Sequence, residues 1–309
     1  MTTLLITHPA SLNHLNGTGH PERPDRIRAI ESVLEQEKFQ TLVREQAPLA
    51  ELEIAALCHP MDYIVEIKDA IPKEGLVQLD ADTSMSPGSF EAALRAIGGT
   101  TRAVDEVIGK KAANAFVAHR PPGHHAETVR PMGFCIFNQA AIAARYAQKK
   151  HGLHRVAVVD FDVHHGNGTQ EIFWSDSTLM YCSTHQMPLY PGTGATGERG
   201  DNDNIVNAPL RAGDDGEAFK AAMETVILPR LKAFGPELII ISAGFDAHKR
   251  DPLANLQFVE EDFGWATRKI MDVADKTAQG RVVSVLEGGY DLEGLSKSVD
   301  AHVIALMRG

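Results

Sequence analysis

Side chains that can bind a metal or carry a proton occur in four clusters, each directly after a short apolar run. The richest holds Asp160, Asp162 and His164 at alternate positions, followed by glycines. Alternate residues of an extended strand share a face, so a carboxylate and an imidazole at this spacing can reach one ion. A catalytic zinc site has three protein ligands and one position open for water. We therefore predict that Asp162 and His164 are two of these ligands.

The third ligand must come from another strand, and Asp246 follows the apolar run 238–242. In open parallel sheets, ligands bind beyond the carboxyl ends of the strands, so the four clusters should meet at one edge. This convergence selects Asp246. Ordinary polar side chains at the sheet edge are the alternative interpretation, and a site of two aspartates and one histidine also accepts iron or cobalt. The clusters are 120–127, 160–168, 243–248 and 287–291.

His124 and His125 follow a Pro-Pro-Gly turn. Neighbouring side chains diverge, so a proton-transfer pair is a more natural interpretation than two ligands of one ion. Histidines in that role need partners at their far nitrogens, and we expect these to be Asp160 and Asn167. A structural histidine pair remains an alternative. In the fourth cluster, Tyr290 follows two glycines, and a phenol near a metal can donate to a developing oxyanion. Simple packing of this tyrosine is its alternative.

The elements that must position these clusters are short apolar strands separated by helices. This alternation predicts a parallel sheet covered on both faces. No repeat or linker interrupts it, so we predict a single domain over residues 1–309. The predicted strands are 4–7, 115–119, 156–159, 179–183, 238–242 and 282–286, and the predicted helices are 24–38, 87–108, 138–151, 216–233 and 259–276.

Composition narrows the classes of function. The formal net charge is -11 and no basic tract is present, so direct binding of nucleic acid is not expected. The 3 cysteines are too few for a disulfide framework and indicate a reducing compartment. No apolar stretch approaches the roughly 20 residues that span a bilayer, and the first residues lack the basic start of a signal peptide. We expect a cytoplasmic protein without membrane contact.

Together and in this order, the motifs resemble the histone deacetylase superfamily, most closely its class II members and the bacterial histone deacetylase-like amidohydrolases. The resemblance runs from about residue 8 to about residue 300. It implies the arginase/deacetylase fold, a single three-layer α/β domain with a mostly parallel sheet of about eight strands and helices on both faces. The motifs are RPPGHHAE at 120–127, DFDVHHGNGTQ at 160–170, GFDAH at 244–248, EGGYD at 287–291, GHPERP at 19–24, DTSMSPGS at 82–89, GFC at 133–135 and YPGTG at 190–194.

The resemblance also implies a role for each matching residue, together with one catalytic zinc ion and a structural potassium ion. Asn167 is a class II trait, because class I members carry an aspartate there. Arg26 resembles an arginine that lines an internal cavity behind the metal. The implied zinc ligands are Asp162, His164 and Asp246, the general base and acid are His124 and His125, supported by Asp160 and Asn167, and the carbonyl-polarising phenol is Tyr290. The implied potassium ligands are carbonyls of Asp160, Asp162 and His164 with Ser183 and Thr184, and the acyl-lysine tunnel is lined by Gly133, Phe134 and Tyr190, the last replacing a phenylalanine of most relatives.

The resulting prediction is a zinc-dependent hydrolase that cleaves the amide of an acylated lysine or of a small acylated amine. An acetylpolyamine amidohydrolase is the main alternative. Some of these enzymes place an acidic residue at the pocket rim, and the corresponding position here is Leu253, which favours acyl-lysine or another amide with an apolar stem. A two-manganese ureohydrolase would need further bridging carboxylates beside His164. A catalytically silent acyl binder is disfavoured because the whole motif set is present. Assembly into a homo-oligomer is left open.

Overall fold

The computed structural model describes residues 2–308, and its centre is a sheet of eight strands. All pairings in this sheet are parallel, and a separate two-stranded antiparallel ribbon lies outside it. The strands of the sheet are β1 (Thr3–Thr7), β2 (Val43–Gln46), β5 (Asn114–Val117), β6 (Val156–Asp160), β7 (Leu179–Gln186), β8 (Ile205–Leu210), β9 (Leu238–Ala243) and β10 (Val282–Leu286), and those of the ribbon are β3 (Val77–Gln78) and β4 (Ser84–Met85).

The spatial order of the sheet is β2-β1-β5-β10-β9-β6-β7-β8. The four strands that precede the polar clusters, β5, β10, β9 and β6, are therefore immediate neighbours at its centre. Because all are parallel, their carboxyl ends lie on one edge, where a ligand site is expected in this architecture. The six strands predicted from sequence are all present, with ends that differ by up to three residues. The predicted parallel α/β architecture is confirmed.

Successive strand residues point to opposite faces of the sheet, and apolar residues pack against both faces. In β9, Ile239 and Ile241 belong to one apolar core, and Leu238 and Ile240 belong to the other. The first core contains residues of α1 and α7–α10, and the second contains residues of α2–α6. The helices are α1 (Asp25–Leu34), α2 (Leu52–Ala55), α3 (Met61–Asp69), α4 (Ser89–Ile108), α5 (Gln139–His151), α6 (Asn167–Phe173), α7 (Gly216–Ala222), α8 (Leu228–Phe234), α9 (Glu260–Thr277) and α10 (Leu292–Arg308).

Two predicted helices are wrong in detail. The segment 216–233 is divided into α7, a π-helical turn at Met223–Ile227, and α8. Pro229 explains this division, because it has no N–H to continue the regular ladder at the start of α8. The helix predicted over 24–38 ends at Leu34 and is followed by a short 3-10 turn. Neither change affects the strand ends that carry the polar clusters.

No helix among residues 2–308 has both the length and the apolar character that a membrane span requires.

Candidate active site

Asp162, His164 and Asp246 converge at the carboxyl ends of β6 and β9. One potential ligand atom from each lies within 4.8 Å of the others, and all three side chains are buried. His164 Nδ1 is 3.2 Å from Asp162 Oδ1 and 3.1 Å from Asp246 Oδ2. Two carboxylate oxygens and one imidazole nitrogen at this separation suit a divalent transition metal and leave room for a further ligand. The donor chemistry therefore fits the predicted metal site.

Backbone groups hold the two carboxylates of this triplet in place. Asp162 Oδ2 accepts from the N–H of Gly288 at 2.8 Å, and Asp246 Oδ1 accepts from the N–H of Val163 at 2.9 Å. The glycines beside the triplet are needed for space. A Cβ on Gly244 would lie 2.0 Å from Asp162 Oδ2, and one on Gly288 would lie 2.2 Å from Asp246 Oδ2. The loops after β9 and β10 can approach the carboxylates only because these positions lack a side chain.

The histidine pair has the two partners that the sequence suggested. His124 Nδ1 is 2.9 Å from Asp160 Oδ2, and His125 Nδ1 is 2.8 Å from Asn167 Oδ1. The two imidazole rings lie 4.0 Å apart between centroids. The Nδ2 of Asn167 donates to Glu127 Oε1 at 2.8 Å, which leaves its Oδ1 as the acceptor facing His125. His125 Nδ1 therefore donates, and Nε2 is the nitrogen left for chemistry.

Different surroundings separate the proton affinities of these two histidines. Burial disfavours the charged imidazole of His124, but the carboxylates of Asp160 and Asp162 outweigh it and raise its pKa well above the usual value. Burial and the neighbouring charge of His124 lower the pKa of His125 well below the usual value. A pair split in this way can hold one proton and accept another, as acid–base catalysis requires.

Tyr290 faces the same site from the loop after β10. Gly289 has a φ of +122°, a conformation that side chains other than glycine avoid, and it turns the chain so that Tyr290 lines the cavity. The N–H of Tyr290 donates to Asp251 Oδ2 at 2.7 Å. Burial and the carboxylate of Asp246 raise the pKa of Tyr290 well above its usual value. The phenol therefore keeps its proton at neutral pH and can serve as a hydrogen-bond donor.

A cavity of about 230 Å³ leads to these side chains. Gly133 and Phe134 both have positive φ, +57° and +68°, and their N–H groups donate to Asp82 Oδ1 at 2.9 Å and to Thr83 Oγ1 at 3.0 Å. Tyr190 lies at the mouth with 38% of its surface exposed. The cavity is lined by Asp82, His125, Gly133, Phe134, His164, Leu189, Tyr190, Leu253 and Tyr290.

Ser183 and Thr184 lie on β7, where Ser183 is the register partner of Asp160 on β6. Ser183 Oγ is 2.8 Å from His185 Nδ1. Thr184 Oγ1 is buried without a hydrogen-bond partner among residues 2–308. These oxygen-bearing residues thus stand beside Asp160, as a cation site behind the triplet would require. All the predicted site residues lie at or beside one edge of the sheet, and their chemical roles stay predictions.

Three further residues belong to this site without having been assigned a role from sequence. The hydroxyl of Tyr181 donates to Asp160 Oδ2 at 3.0 Å, and Glu287 accepts from the turn that carries His124. Asp82 is the only carboxylate among the residues that line the cavity. The sequence held a signal for two of them. Tyr181 alternates with Ser183 on one strand, and Glu287 directly follows an apolar run.

Comparisons with known proteins agree with this architecture. A family model described as "Histone deacetylase domain" matches residues 20–306. A "Probable deacetylase" of Archaeoglobus fulgidus is 38% identical over 100% of this chain and 87% of its own length. A "Histone deacetylase-like amidohydrolase" of Pseudomonas aeruginosa is 39% identical over 88% of this chain and 73% of its own length. The solved structure "Crystal Structure of HDA15 HD domain" matches with a TM-score of 0.93 and 33% identity, covering 99% of this chain and 89% of its own.

The fold and these relatives define the class of protein, a hydrolase that acts on amides and is built on the arginase/deacetylase fold. The chain belongs to the histone deacetylase family. The predictions of family, fold and enzyme class made from the sequence motifs are thereby confirmed. The family is generally metal-dependent, and the Asp162–His164–Asp246 cluster is a place where this chain could hold its ion.

Proposed function

We propose that this protein is a zinc-dependent deacetylase that cleaves N6-acetyl-lysine in proteins or peptides, with residues 1–309 forming one catalytic domain. The observation that carries this proposal is the cavity. It has a volume of about 230 Å³, with the aromatic side chains of Phe134 and Tyr190 among its walls, and it is lined further by His125, His164 and Tyr290. Such walls suit the apolar stem of a lysine side chain, while the polar groups suit the amide at its tip.

The protein residues divide the proposed reaction among them. Asp162, His164 and Asp246 would hold the zinc ion, which when bound polarises the scissile carbonyl and the attacking water. His125 Nε2 takes a proton from the water as it attacks the acyl carbon. The histidine pair then returns a proton to the leaving amine. The phenol O–H of Tyr290 donates to the oxygen that becomes negative in the tetrahedral state.

A potassium ion completes the proposed site. Carbonyl oxygens of Asp160, Asp162 and His164, with Ser183 and Thr184, would hold it behind the triplet. The hydroxyl of Thr184 is buried without a hydrogen-bond partner among residues 2–308, and a bound cation would supply a partner for its oxygen. Oxygen donors of this kind suit a hard cation. Its role would be to fix the β6 segment that carries two of the three zinc ligands.

Hydrolysis of an acetylated polyamine is the second candidate, and Asp82 is the observation in its favour, because a carboxylate near the cavity attracts a distal ammonium group. Against it, Asp82 Oδ1 already accepts from Gly133 and Thr83. The rim position that is acidic in some acetylpolyamine amidohydrolases is the apolar Leu253 here, and its N–H donates to Asp251 Oδ1 at 3.0 Å.

We expect a higher kcat/KM for an acetyl-lysine peptide than for N-acetylputrescine. The reason is that position 253 at the rim is an apolar leucine, so among the residues that line the cavity no carboxylate besides Asp82 is available to bind the distal ammonium group. A comparison of the two substrates under identical conditions measures this directly. The Leu253→Glu variant should shift the ratio toward the polyamine, and Leu253→Gln controls for size without the charge. A preference of the unchanged protein for N-acetylputrescine by about tenfold or more, equivalent to about 1.4 kcal/mol, would assign it to the polyamine class.

A further inference from the structure

Glu287 is a fully buried carboxylate at the end of β10 that the proposed reaction does not use. Its side chain is 0% exposed. Its Oε2 accepts from the backbone N–H of Gly123 at 2.7 Å and of His124 at 3.2 Å. Its Oε1 accepts from the hydroxyl of Ser242 at 3.2 Å. One carboxylate thus bonds directly to the turn that presents the histidine pair.

The main chain around Glu287 is tied to the loop that carries Tyr290. The guanidinium of Arg26 donates to the carbonyl of Glu287 at 2.5 Å and to that of Gly289 at 2.6 Å. Its Cζ lies 5.0 Å from the centroid of the Tyr290 ring. Glu287 therefore connects the turn that carries His124 to the loop that carries Tyr290. Its side chain holds the histidine turn, and its backbone belongs to the segment that places the phenol.

A carboxylate is an expensive group to bury, and hydrogen bonds must offset that cost. Burial raises the pKa of Glu287 to about 7. The N–H groups of Gly123 and His124 lie in a turn outside the strands, where no ladder partner is available to them. An oxygen acceptor with the reach of a glutamate satisfies both, and a shorter side chain from the same Cα cannot occupy the same point.

We propose that Glu287 is a positioning residue. Its hydrogen bonds with the N–H groups of Gly123 and His124 hold the His124 imidazole against Asp160 and at a fixed position relative to Tyr290. The inference rests on the proposed amide hydrolysis. His124 Nδ1 lies 2.9 Å from Asp160 Oδ2, a contact that tolerates little displacement of the turn. A misplacement of about 1 Å in a catalytic group can cost on the order of 10²-fold in rate.

Two conservative variants separate reach from charge. Glu287→Gln keeps an acceptor oxygen at the same distance, and Glu287→Asp keeps the charge but withdraws the oxygen by one methylene. We expect Glu287→Gln to retain kcat within about threefold, and Glu287→Asp to lose at least about tenfold in kcat with KM within about twofold. Metal content per chain should be the same in both. Ser242→Ala, which removes only the partner of Oε1, is the matched control and should retain its turnover.

Hydrogen exchange of the backbone N–H groups of Gly123 and His124 in metal-free protein gives a reading independent of turnover. Protection should persist in Glu287→Gln and fall in Glu287→Asp. Normal kcat in Glu287→Asp, or an equal loss in both variants, overturns the proposal. The first result would show that the reach of the side chain is not needed, and the second would show that an acceptor oxygen at the same reach does not preserve turnover. Failure of the unchanged protein to release acetate would reject the proposed function, while the exchange measurement would still test Glu287.

Discussion

Replacing Asp246 with asparagine is expected to lower deacetylation by on the order of a thousandfold or more and to release the metal on dialysis. Loss of an outer partner of a metal ligand typically costs about 10- to 100-fold in affinity or activity, and loss of a charged ligand should exceed that. The substitution keeps the shape of the side chain and the oxygen that accepts from the N–H of Val163 at 2.9 Å. The fold should therefore survive while the charge of the triplet falls.

Metal per chain and turnover of an acetyl-lysine peptide are to be measured on the same Asp246→Asn sample. Asp203→Asn is the matched control, because Asp203 is 53% exposed and pairs with Arg230 on the surface. It should bind one metal and turn over normally. If Asp246→Asn kept both its metal and its activity, Asp246 would not be a ligand. The proposed metal site of Asp162, His164 and Asp246 would then be wrong.

Tyr290→Phe is expected to reduce kcat by about 10²–10³, the usual result of removing one donor from an oxyanion site. The aromatic ring should keep its place, since Phe134 lies 6.0 Å from it in an edge-to-face arrangement and Arg26 lies 5.0 Å away. Only the phenol O–H is lost. KM should change little, because the donor acts on charge that develops after binding.

Steady-state kinetics of Tyr290→Phe, with the metal content of each sample determined, test this expectation. The matched control is Tyr146→Phe, since the Tyr146 hydroxyl bonds to Asp105 away from the cavity. Turnover close to that of the unchanged protein, at equal metal content, would remove Tyr290 from the proposed reaction. A fall in kcat in proportion to the metal content would instead show that Tyr290 is needed to keep the metal site intact.

The central strands could be predicted from the sequence because both of their faces are buried. Runs such as 238–242 and 282–286 are apolar at nearly every position, which signals a strand enclosed by two layers of helices. The edge strands lack that signal. β2 is largely exposed and reads VREQ, and β8 contains Pro209, which is tolerated at the border of a sheet. Their places depend on neighbouring strands more than on their own composition.

Within the site, strand geometry alone relates Asp162 to His164, and the common edge of the sheet adds Asp246. Motif resemblance adds the roles of His124, His125 and Tyr290. Glu287 could not be given a role in this way, since its partners are backbone N–H groups about 164 residues earlier in the chain. Backbone donors leave no trace in side-chain identity. The sequence predicts that the turn after β5 and the end of β10 lie at the same edge, but only the three-dimensional structure shows the hydrogen bonds that join them.

Titration of metal-free protein with Zn²⁺, with acetate release from an acetyl-lysine peptide followed at each addition, tests the proposed function most directly. We expect activity to rise with added zinc and to reach its plateau at one equivalent per chain, with one free amine formed for each acetate. A plateau at two equivalents would instead indicate the two-metal chemistry of a ureohydrolase. No acetate release at any ratio of zinc to protein would contradict the assignment of this site as a zinc-dependent deacetylase.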